Sequence, residues 1–538
     1  MTAQHQSEFQ HRSVVSSFLF SVTGRPRVAL FRRSAKVRTY QWVFSAQSVL
    51  ELWADLRRHR LAPISGSVEP NESPIAAAWR ELKEETTLTH RDVGLWRHGK
   101  PYTFSDASIG REWTIYPFAF RLKTTDEGGR GEEAIKIDWE HDGWEWYDPK
   151  DVNDGSFDGV PRLADSLGRV WFEAQMNDEA SQALRSGLQQ LENDHRSGSH
   201  ELTTIALTGF RDVLVHLRGD PNWWQTARMA AWHMCKNGRE SMGAATTNAF
   251  LGVLGDMEEV SGQSLENESA WDYVLGVVDF HLENRRAMPA HIKDSFTAYL
   301  HGTFITKAQP QSTLTILTLS ASSTIRDSIL DAFASLPIST LDLRILESRP
   351  LFEGASMASS LVSEFQTKFP PPSDRHLKLA VYTDASAALA ADGVDFVLLG
   401  ADRISSAGWI SNKIGSLPAV LCAKHVGPRV KVLVFSQLEK VAEAGSEENH
   451  GVENNDPVEV MSPWIDSGVK GVKVLERHMD ARPGTSNCAV EVKNVYFEWV
   501  PAELIDAYIC EEGTLDRNAI KKKADQVKEK SDKYLGSL

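Results

Sequence analysis

Residues 66–86 read GSVEPNESPIAAAWRELKEET, and they decide how the first part of the chain is built. Ser73 is a favourable helix N-cap and Pro74 suits the first helical position, so the spacing predicts a helix that starts there. Ile75, Ala78 and Leu82 form one stripe of that helix. Arg80, Glu81, Glu84 and Glu85 fall largely on another, with Glu81 and Glu84 one helical turn apart and Glu85 directly behind. Carboxylates at such offsets repel unless positive charge sits between them. Hard oxygen donors grouped this way suit Mg²⁺, with Mn²⁺ as an alternative, because Mg²⁺ takes octahedral oxygen coordination and is often shared with substrate phosphates. The same residues also fit a solvated acidic face in which Arg80 is the internal partner.

Around this stretch, composition sets the bounds. A chain of 538 residues exceeds what one hydrophobic core serves, and two or three domains are expected. Hydrophobic residues make up 41% and charged residues 24%, which describes a globular chain and excludes disorder as its main character. The formal charge of −15 argues against broad binding of nucleic-acid backbones, so no direct nucleic-acid partner is expected. The cysteines, Cys235, Cys422, Cys488 and Cys510, are scattered without CxxC spacing and predict neither a disulfide framework nor a zinc site. A reducing compartment fits them. No apolar run approaches the roughly 18 residues that span a bilayer, and the start MTAQHQSEFQHRS lacks a secretory core, so a cytoplasmic protein without a membrane partner is expected.

Along the chain the periodicity changes twice. Over 1–160, VVSSFLFSV, RVALFRR, YQWVFSA and EWTIYPFAFRLKT are strand-like, TTDEGGRGEE is a loop, and with the helix of 66–86 they predict an α/β sandwich domain. Over 161–305, apolar residues recur at three- and four-residue steps, as in LTTIALTGFRDVLVHL and NWWQTARMAAWHM, and predict a helical subdomain. Over 306–520, LTILTL, LDLRIL, LKLAVYT, VDFVLLG and VKVLVFS are near-continuous apolar strands separated by helix-length intervals, which predicts a Rossmann-like, doubly wound parallel sheet. Residues 521–538 are expected as a charged, solvated tail. The fold class is therefore α/β, multidomain.

The spacing Gly66, x5, Glu72, x7, Arg80-Glu81-Leu82, x, Glu84-Glu85, x, Thr87-Leu88 resembles the Nudix box, departing only where that box ends in glycine and this chain has Thr87. The resemblance implies a metal-binding loop-helix-loop that hydrolyses a nucleoside diphosphate linked to another group. It implies Glu81, Glu84 and Glu85 as metal ligands and catalytic groups, with Gly66, Glu72 and Arg80 bracing the loops. A β-branched residue tolerates a left-handed loop-closing conformation poorly, so the turn at Thr87 is expected to be built differently. A further carboxylate is offered by Asp138, Glu140, Asp142 or Glu145. Trp42 and Trp113, on strand-like runs, are open to stacking on a base or to core packing.

In the last part, polar residues follow the strand-like runs: SASS at 320–323, ESRPLFEG at 347–354, Asp384, ADRI at 401–404 and then WISNKIGS. Ligands collect at the carboxyl ends of parallel strands. Arg349 offers a fork for phosphate and Lys413 a point charge, with Ser320, Asp384, Asp402 and Asn412 beside them. For Asp384 a helix-capping role is an equal alternative. Together with VPAELIDAYICEEG these stretches resemble the family uniting methylthioribose-1-phosphate isomerase, ribose-1,5-bisphosphate isomerase and the regulatory subunits of translation initiation factor 2B. The resemblance covers about 165–515 and implies dimerisation through the C-terminal domain. The isomerases use a cysteine and an aspartate; Asp402 matches the aspartate, and Ser320 stands at the cysteine. A serine hydroxyl is far too weak an acid to serve without an adjacent base. Cys422 is expected as a buried hydrophobe.

The expected function is a Mg²⁺-dependent Nudix hydrolase of a nucleoside diphosphate derivative, of the ADP-ribose or sugar-nucleotide type. It is fused to a domain that binds a phosphorylated sugar or nucleotide. The alternatives are a non-catalytic regulatory or scaffold protein related to translation initiation factor 2B subunits, and an aldose-ketose isomerase of a sugar 1-phosphate.

Overall fold

The computed structural model describes residues 9–21, 25–34, 59–107, 110–194, 197–238, 243–260, 268–305, 313–445, 455–479, 488 and 490–538. The run YQWVFSA, with Trp42, lies outside these residues.

Alternating apolar residues build the first sheet. It comprises β1 (Gln10–Phe20), β2 (Val28–Arg33), β3 (Leu61–Ala62), β4 (Ile64–Ser67), β5 (Val93–His98), β6 (Tyr102–Asp106), β7 (Arg111–Leu122) and β8 (His141–Tyr147), with the helix α1 (Pro74–Thr86) between β4 and β5. The order is β3-β2-β1-β7-β5, with β4 on β1, β6 on β7 and β8 on β2. β1 and β7 run parallel, in register from Gln10 with Arg111 to Phe20 with Arg121. Val15 and Leu19 point to the face covered by Ala77, Ala78 and Leu82 of α1. Phe18 and Phe20 point to the other face, covered by Leu163, Leu167 and Val170 of α2 (Leu163–Val170). The period of two thus divides β1 between two cores and makes an α/β/α sandwich. α2 lies beyond residue 160, yet its buried side belongs to this first sheet.

The helical part follows with α3 (Asp178–Asn193), α4 (Ser199–Val215), α5 (Trp223–Asn237), α6 (Gly243–Met257) and α7 (Glu268–Leu300). α7 serves two cores: Trp271, Val274 and Val278 pack in the helical cluster, and Ile292, Phe296 and Leu300 pack under the last sheet. Two contacts fasten the helical part to β5. Arg97 is paired with Glu173, and the side-chain amide of Asn237 donates to the carbonyl of His98 at 2.9 Å while its oxygen accepts from the His98 N–H at 2.7 Å.

The last sheet contains β9 (Thr313–Leu319), β10 (Thr340–Leu346), β11 (His376–Tyr382), β12 (Phe396–Gly400), β15 (Lys431–Phe435), β17 (Ala507–Cys510) and β18 (Gly513–Leu515), in the order β11-β10-β9-β12-β15-β17-β18. All neighbours are parallel except β17 and β18. The crossovers α8 (Ser323–Ser335), α9 (Glu353–Lys368), α10 (Ala387–Ala390) and α11 (Ser416–Val426) follow β9, β10, β11 and β14 respectively. A small antiparallel sheet of β13 (Arg403–Ile404), β14 (Ile410–Lys413) and β16 (Phe497–Val500) was not foreseen. Strand order reverses between β9 and β12, where open α/β sheets form their ligand crevice.

The solvated tail expected over 521–538 is corrected by the packing. After the short helices α12 (Pro457–Asp466) and α13 (Val472–Met479), the final helix α14 (Arg517–Ser531) buries Ile520 and Ala524 against the last sheet. Val527, Tyr534, Leu535 and Leu538 enter the helical core, and Arg228 donates through Nε to the Tyr534 carbonyl at 2.6 Å. Apolar residues at i, i+4 and i+7 were enough to dock a lysine-rich helix. Among the described residues, no helix is long and apolar enough to cross a membrane.

Candidate active site

α1 begins as its sequence predicts: Ser73 is the N-cap, with its Oγ accepting from the Ala76 N–H at 3.3 Å, and Pro74 is the first helical residue. Arg80 is the hub of the acidic face. Its Nε and Nη2 donate to the two Glu72 carboxylate oxygens at 2.9 and 3.0 Å, and Nη2 also reaches the Ser67 carbonyl at 3.0 Å. Its Nη1 donates to Glu81 at 2.6 Å and stands 3.4 Å from Glu84. This fork ties the loop before α1 to the helix, and the Arg80 guanidinium holds the Glu72 carboxyl below the usual carboxylate range. Gly66, on β4, lies under the Glu81 carboxylate: a Cβ there would come within 1.9 Å of it. Only the end of a flexible side chain would have to move, so Gly66→Ala should shift the thermal midpoint little. The hydrolysis that the resemblance to the box implies should fall roughly 10- to 100-fold, because the carboxylate is displaced by an ångström or more. Unchanged turnover in the folded variant would show that Glu81 needs no such placement.

The expectation that the turn at Thr87 is built differently is corrected. Thr87 adopts φ 61° and ψ 5°, the left-handed conformation that glycine supplies in the box, with its N–H donating to the Lys83 carbonyl at 2.9 Å. What carries the cost is tertiary. Thr87 Oγ1 donates to the Ala134 carbonyl at 3.3 Å, and the last helical carbonyls, of Glu85 and Thr86, accept from the N–H groups of Asp138 and Lys136 at 3.1 and 3.0 Å. Segment 134–138 therefore closes the helix end that the residue alone disfavours.

That stitching also gathers the acidic side chains. Glu85 is almost fully buried, and burial, with Glu140, Glu81 and Asp138 nearby, pushes its carboxyl up to about 9. Burial likewise raises Glu81 and Glu140. Of the four further carboxylates offered by the sequence, Asp138 and Glu140 lie near enough to Glu85 for their charge to raise its pKa. Asp142 instead pairs with His59 at 3.6 Å, and Glu145 accepts from the Tyr147 hydroxyl at 2.9 Å. His141 was missed: its Nε2 lies 3.4 Å from Glu85 and its Nδ1 3.6 Å from Asp138. Burial lowers its pKa, so it supplies no fixed positive charge, and its Nδ1 is buried without a hydrogen-bond partner. Only the pairing of β8 with β2 brings it there, which no local motif signals. Trp113 is half-buried on β7 beside Arg111.

Among the described residues, no three His, Cys, Asp or Glu side chains stand in an arrangement that could hold a metal ion. Glu81 and Glu84 are turned toward Arg80, while Glu85 sits behind them against His141. The chemistry of the donor set nonetheless fits a hard divalent cation. Several carboxylates, two of them largely buried, raise one another's pKa, with Arg80 beside Glu81 and Arg33 near Glu85 and Glu140 offsetting only part of that charge.

In the last domain, the sequence-predicted residues come together at the ends of β9, β10 and β11. Ser320 (φ 62°) donates its N–H to Ser348 Oγ at 2.7 Å and its hydroxyl to Glu353 at 3.3 Å. Asp384 accepts from the N–H groups of Ser348 and Arg349 at 2.9 and 2.8 Å, so it anchors the loop after β10. Arg349 donates to the Val460 carbonyl at 2.9 Å, and Lys413 pairs with Glu353 at 3.1 Å and lies over the Tyr496 ring. Asn412 is buried, bonded to Ser416 at 2.8 Å, and Asp402 is half-buried, its N–H donating to the Ser411 carbonyl at 2.8 Å. Ser348, Glu353 and Tyr496 were missed. The cavity between Arg349, Glu353, Lys413 and Tyr496 holds about 10 Å³, room for a single water. Cys422 is partly buried against the neighbouring core.

A NUDIX domain is found at residues 10–166 and an initiation factor 2 subunit family domain at residues 282–517. Methylthioribose-1-phosphate isomerase of Azotobacter vinelandii is 28% identical over 178 residues, covering 32% of this chain and 42% of the relative. The isomerase of Magnetococcus marinus is 30% identical over the same length and shares. The chain thus spans about two-fifths of the length of the curated relatives it matches. Similar solved structures include a Pyrococcus horikoshii translation initiation factor eIF-2B, 16% identical with a TM-score of 0.42 over 62% of this chain and 96% of that one. Another is the eIF2B-beta2-delta2 complex of C. thermophilum, 12% identical with a TM-score of 0.46 over 66% and 98%.

Proposed function

We propose that the chain is a Mg²⁺-dependent hydrolase of nucleoside diphosphate derivatives, of the ADP-ribose or sugar-nucleotide type, acting through Glu81, Glu84 and Glu85. The observation that carries this is the carboxylate set around the end of α1, in which the buried Glu85 is pushed up to about 9 by burial and by the nearby Glu140, Glu81 and Asp138. Acidic groups close enough to raise one another's pKa are costly in a fold and useful to a cation. Glu81, Glu84 and Glu85 would hold Mg²⁺, or Mn²⁺, with Asp138 and Glu140 as further oxygen donors. When bound, the ion neutralises charge on a pyrophosphate and lowers the pKa of attacking water. Arg80 and Glu72 keep the loop before α1 in place, and Gly66 leaves room for the Glu81 carboxylate. The buried His141, 3.4 Å from Glu85 and with its pKa lowered by burial, adds no positive charge that would compete with the cation.

The test is product release from a panel of ADP-, GDP-, CDP- and UDP-linked sugars, with Mg²⁺ and with chelator, for the unaltered protein, Glu84→Gln and Glu85→Gln. Turnover that needs Mg²⁺ and is lost in both variants is expected. None across the panel, from folded protein, would overturn the reading.

For the C-terminal domain, a binding or regulatory role is favoured over isomerisation, with a phosphorylated sugar or nucleotide as ligand and a homodimer as the assembled form. Among the described residues the Ser320 hydroxyl bonds to Glu353, and that carboxylate, already the partner of Lys413, is too weak a base to generate an alkoxide. A ligand phosphate would have to displace Glu353 from Lys413 and the Val460 carbonyl from Arg349. A regulatory or scaffold chain related to translation initiation factor 2B subunits is the second reading, favoured by that closed pocket.

A further inference from the structure

We propose that the indole of Trp139 is the platform on which the substrate's nucleobase stacks; this rests on the hydrolase reading above. Trp139 is 60% exposed. The other described tryptophans of the first domain have partners: Trp79 lies 3.7 Å from the His90 ring, Trp96 packs on Phe20 and Trp171, Trp113 lies beside Arg111, and Trp144 packs on Trp146. Among the described residues, the Trp139 indole alone in this domain has neither a ring contact nor a hydrogen bond.

Its backbone, by contrast, is held on both sides. The Trp139 carbonyl accepts from Ser34 Oγ at 2.8 Å. On one side the Asp138 N–H donates to the Glu85 carbonyl at 3.1 Å, and on the other the Glu140 carbonyl accepts from the Ser34 N–H at 2.8 Å. A large apolar ring is thus left in water on a segment clamped to the helix end that carries Glu85. A flexible loop could fold such a ring away; this one holds it out.

The flanking groups select what the ring can bind. Asp138 and Glu140 are engaged with the cation in the hydrolase reading, which leaves the indole as the binding face. A flat apolar ring without positive charge takes a flat, uncharged moiety rather than a phosphate. In a nucleoside diphosphate derivative the base answers that description, and its ribose leads back to the diphosphate beside Glu81 and Glu85. Stacking is tolerant of base identity, so the platform predicts broad specificity among nucleobases.

The experiment measures KM and kcat for the nucleotide sugar turned over fastest, and the affinity of Mg²⁺-pyrophosphate, which has no base, in the unaltered protein, Trp139→Ala and Trp139→Phe. Trp139→Ala is expected to raise KM by about 5- to 100-fold, the range for loss of one stacked base, with kcat nearly unchanged. Trp139→Phe should recover most of the affinity, and pyrophosphate should bind all three alike. An unchanged KM, or a parallel loss of pyrophosphate binding, would overturn the proposal while the hydrolase reading stands. If folded protein hydrolyses nothing in the panel, the hydrolase reading falls, and titration of the same nucleotides against tryptophan fluorescence decides the platform. Quenching that Trp139→Ala abolishes retains it; no quenching, or quenching that persists in the variant, rejects it.

Discussion

Glu85→Gln is expected to reduce hydrolysis by about 100- to 10,000-fold, the span over which a positioned acid-base or metal-held group contributes, while leaving the metal-free fold as stable as before or more so. The two halves have one cause. Burial against Glu140, Glu81 and Asp138 pushes the Glu85 carboxyl up to about 9 from an ordinary 4.5, so without a cation it carries its proton at neutral pH and resembles the amide of glutamine in shape and charge. The sign follows. A carboxyl whose folded pKa is raised gives its full stability below about 4.5 and loses it as pH rises through about 9. Chelator-treated protein should therefore become less stable across that window, and Glu85→Gln should flatten the loss. Urea denaturation at several pH values, paired with turnover assays in Mg²⁺, measures both. A variant that is inactive because it is unfolded would sink the argument, and so would one that keeps full turnover.

The same helix shows what a sequence can and cannot disclose. Its start, its stripe and its acidic face were legible because Ser73, Pro74 and the carboxylate offsets act within a few residues of one another. Its end was misjudged because the αL preference of Thr87 was weighed alone, whereas the carbonyls of Glu85 and Thr86 are satisfied from a segment some fifty residues on. His141 was invisible for the same reason, since β8 must fold back on β2 before it meets Glu85. In the last domain, the five apolar runs read as strands are strands. The sheet of β13, β14 and β16 escaped because its members are two to four residues long and carry no periodicity. The clustering of Ser320, Arg349 and Asp384 followed from the rule about strand ends. That Arg349 and Lys413 are occupied by Val460 and Glu353 could not, because those partners arrive from elsewhere in the chain.

The joint between the first domain and the helical part carries the other large effect. Arg97 and Glu173 are 4% and 1% exposed, and Arg97 Nη1 donates to both Glu173 oxygens at 2.7 Å while its guanidinium lies 4.5 Å from the Trp96 ring and 5.3 Å from that of Trp171. A charge pair so dry contributes little net stability against a well-packed apolar pair, but removing one member strands the other in a medium that cannot solvate it. Arg97→Met and Glu173→Gln are each expected to cost about 3–5 kcal/mol in urea denaturation. The double replacement Arg97→Met with Glu173→Leu should cost far less than the sum, because neither charge is left behind. The Asn237 amide, bonded to both backbone groups of His98 next along β5, should keep the strand docked on α5 in the double variant. Single variants as stable as the unaltered protein would mean that water reaches the pair in solution. Costs that simply add would mean that the two side chains act independently, and the joint would then owe its strength to the packing of Trp96 and Trp171 and to the Asn237 bonds to His98.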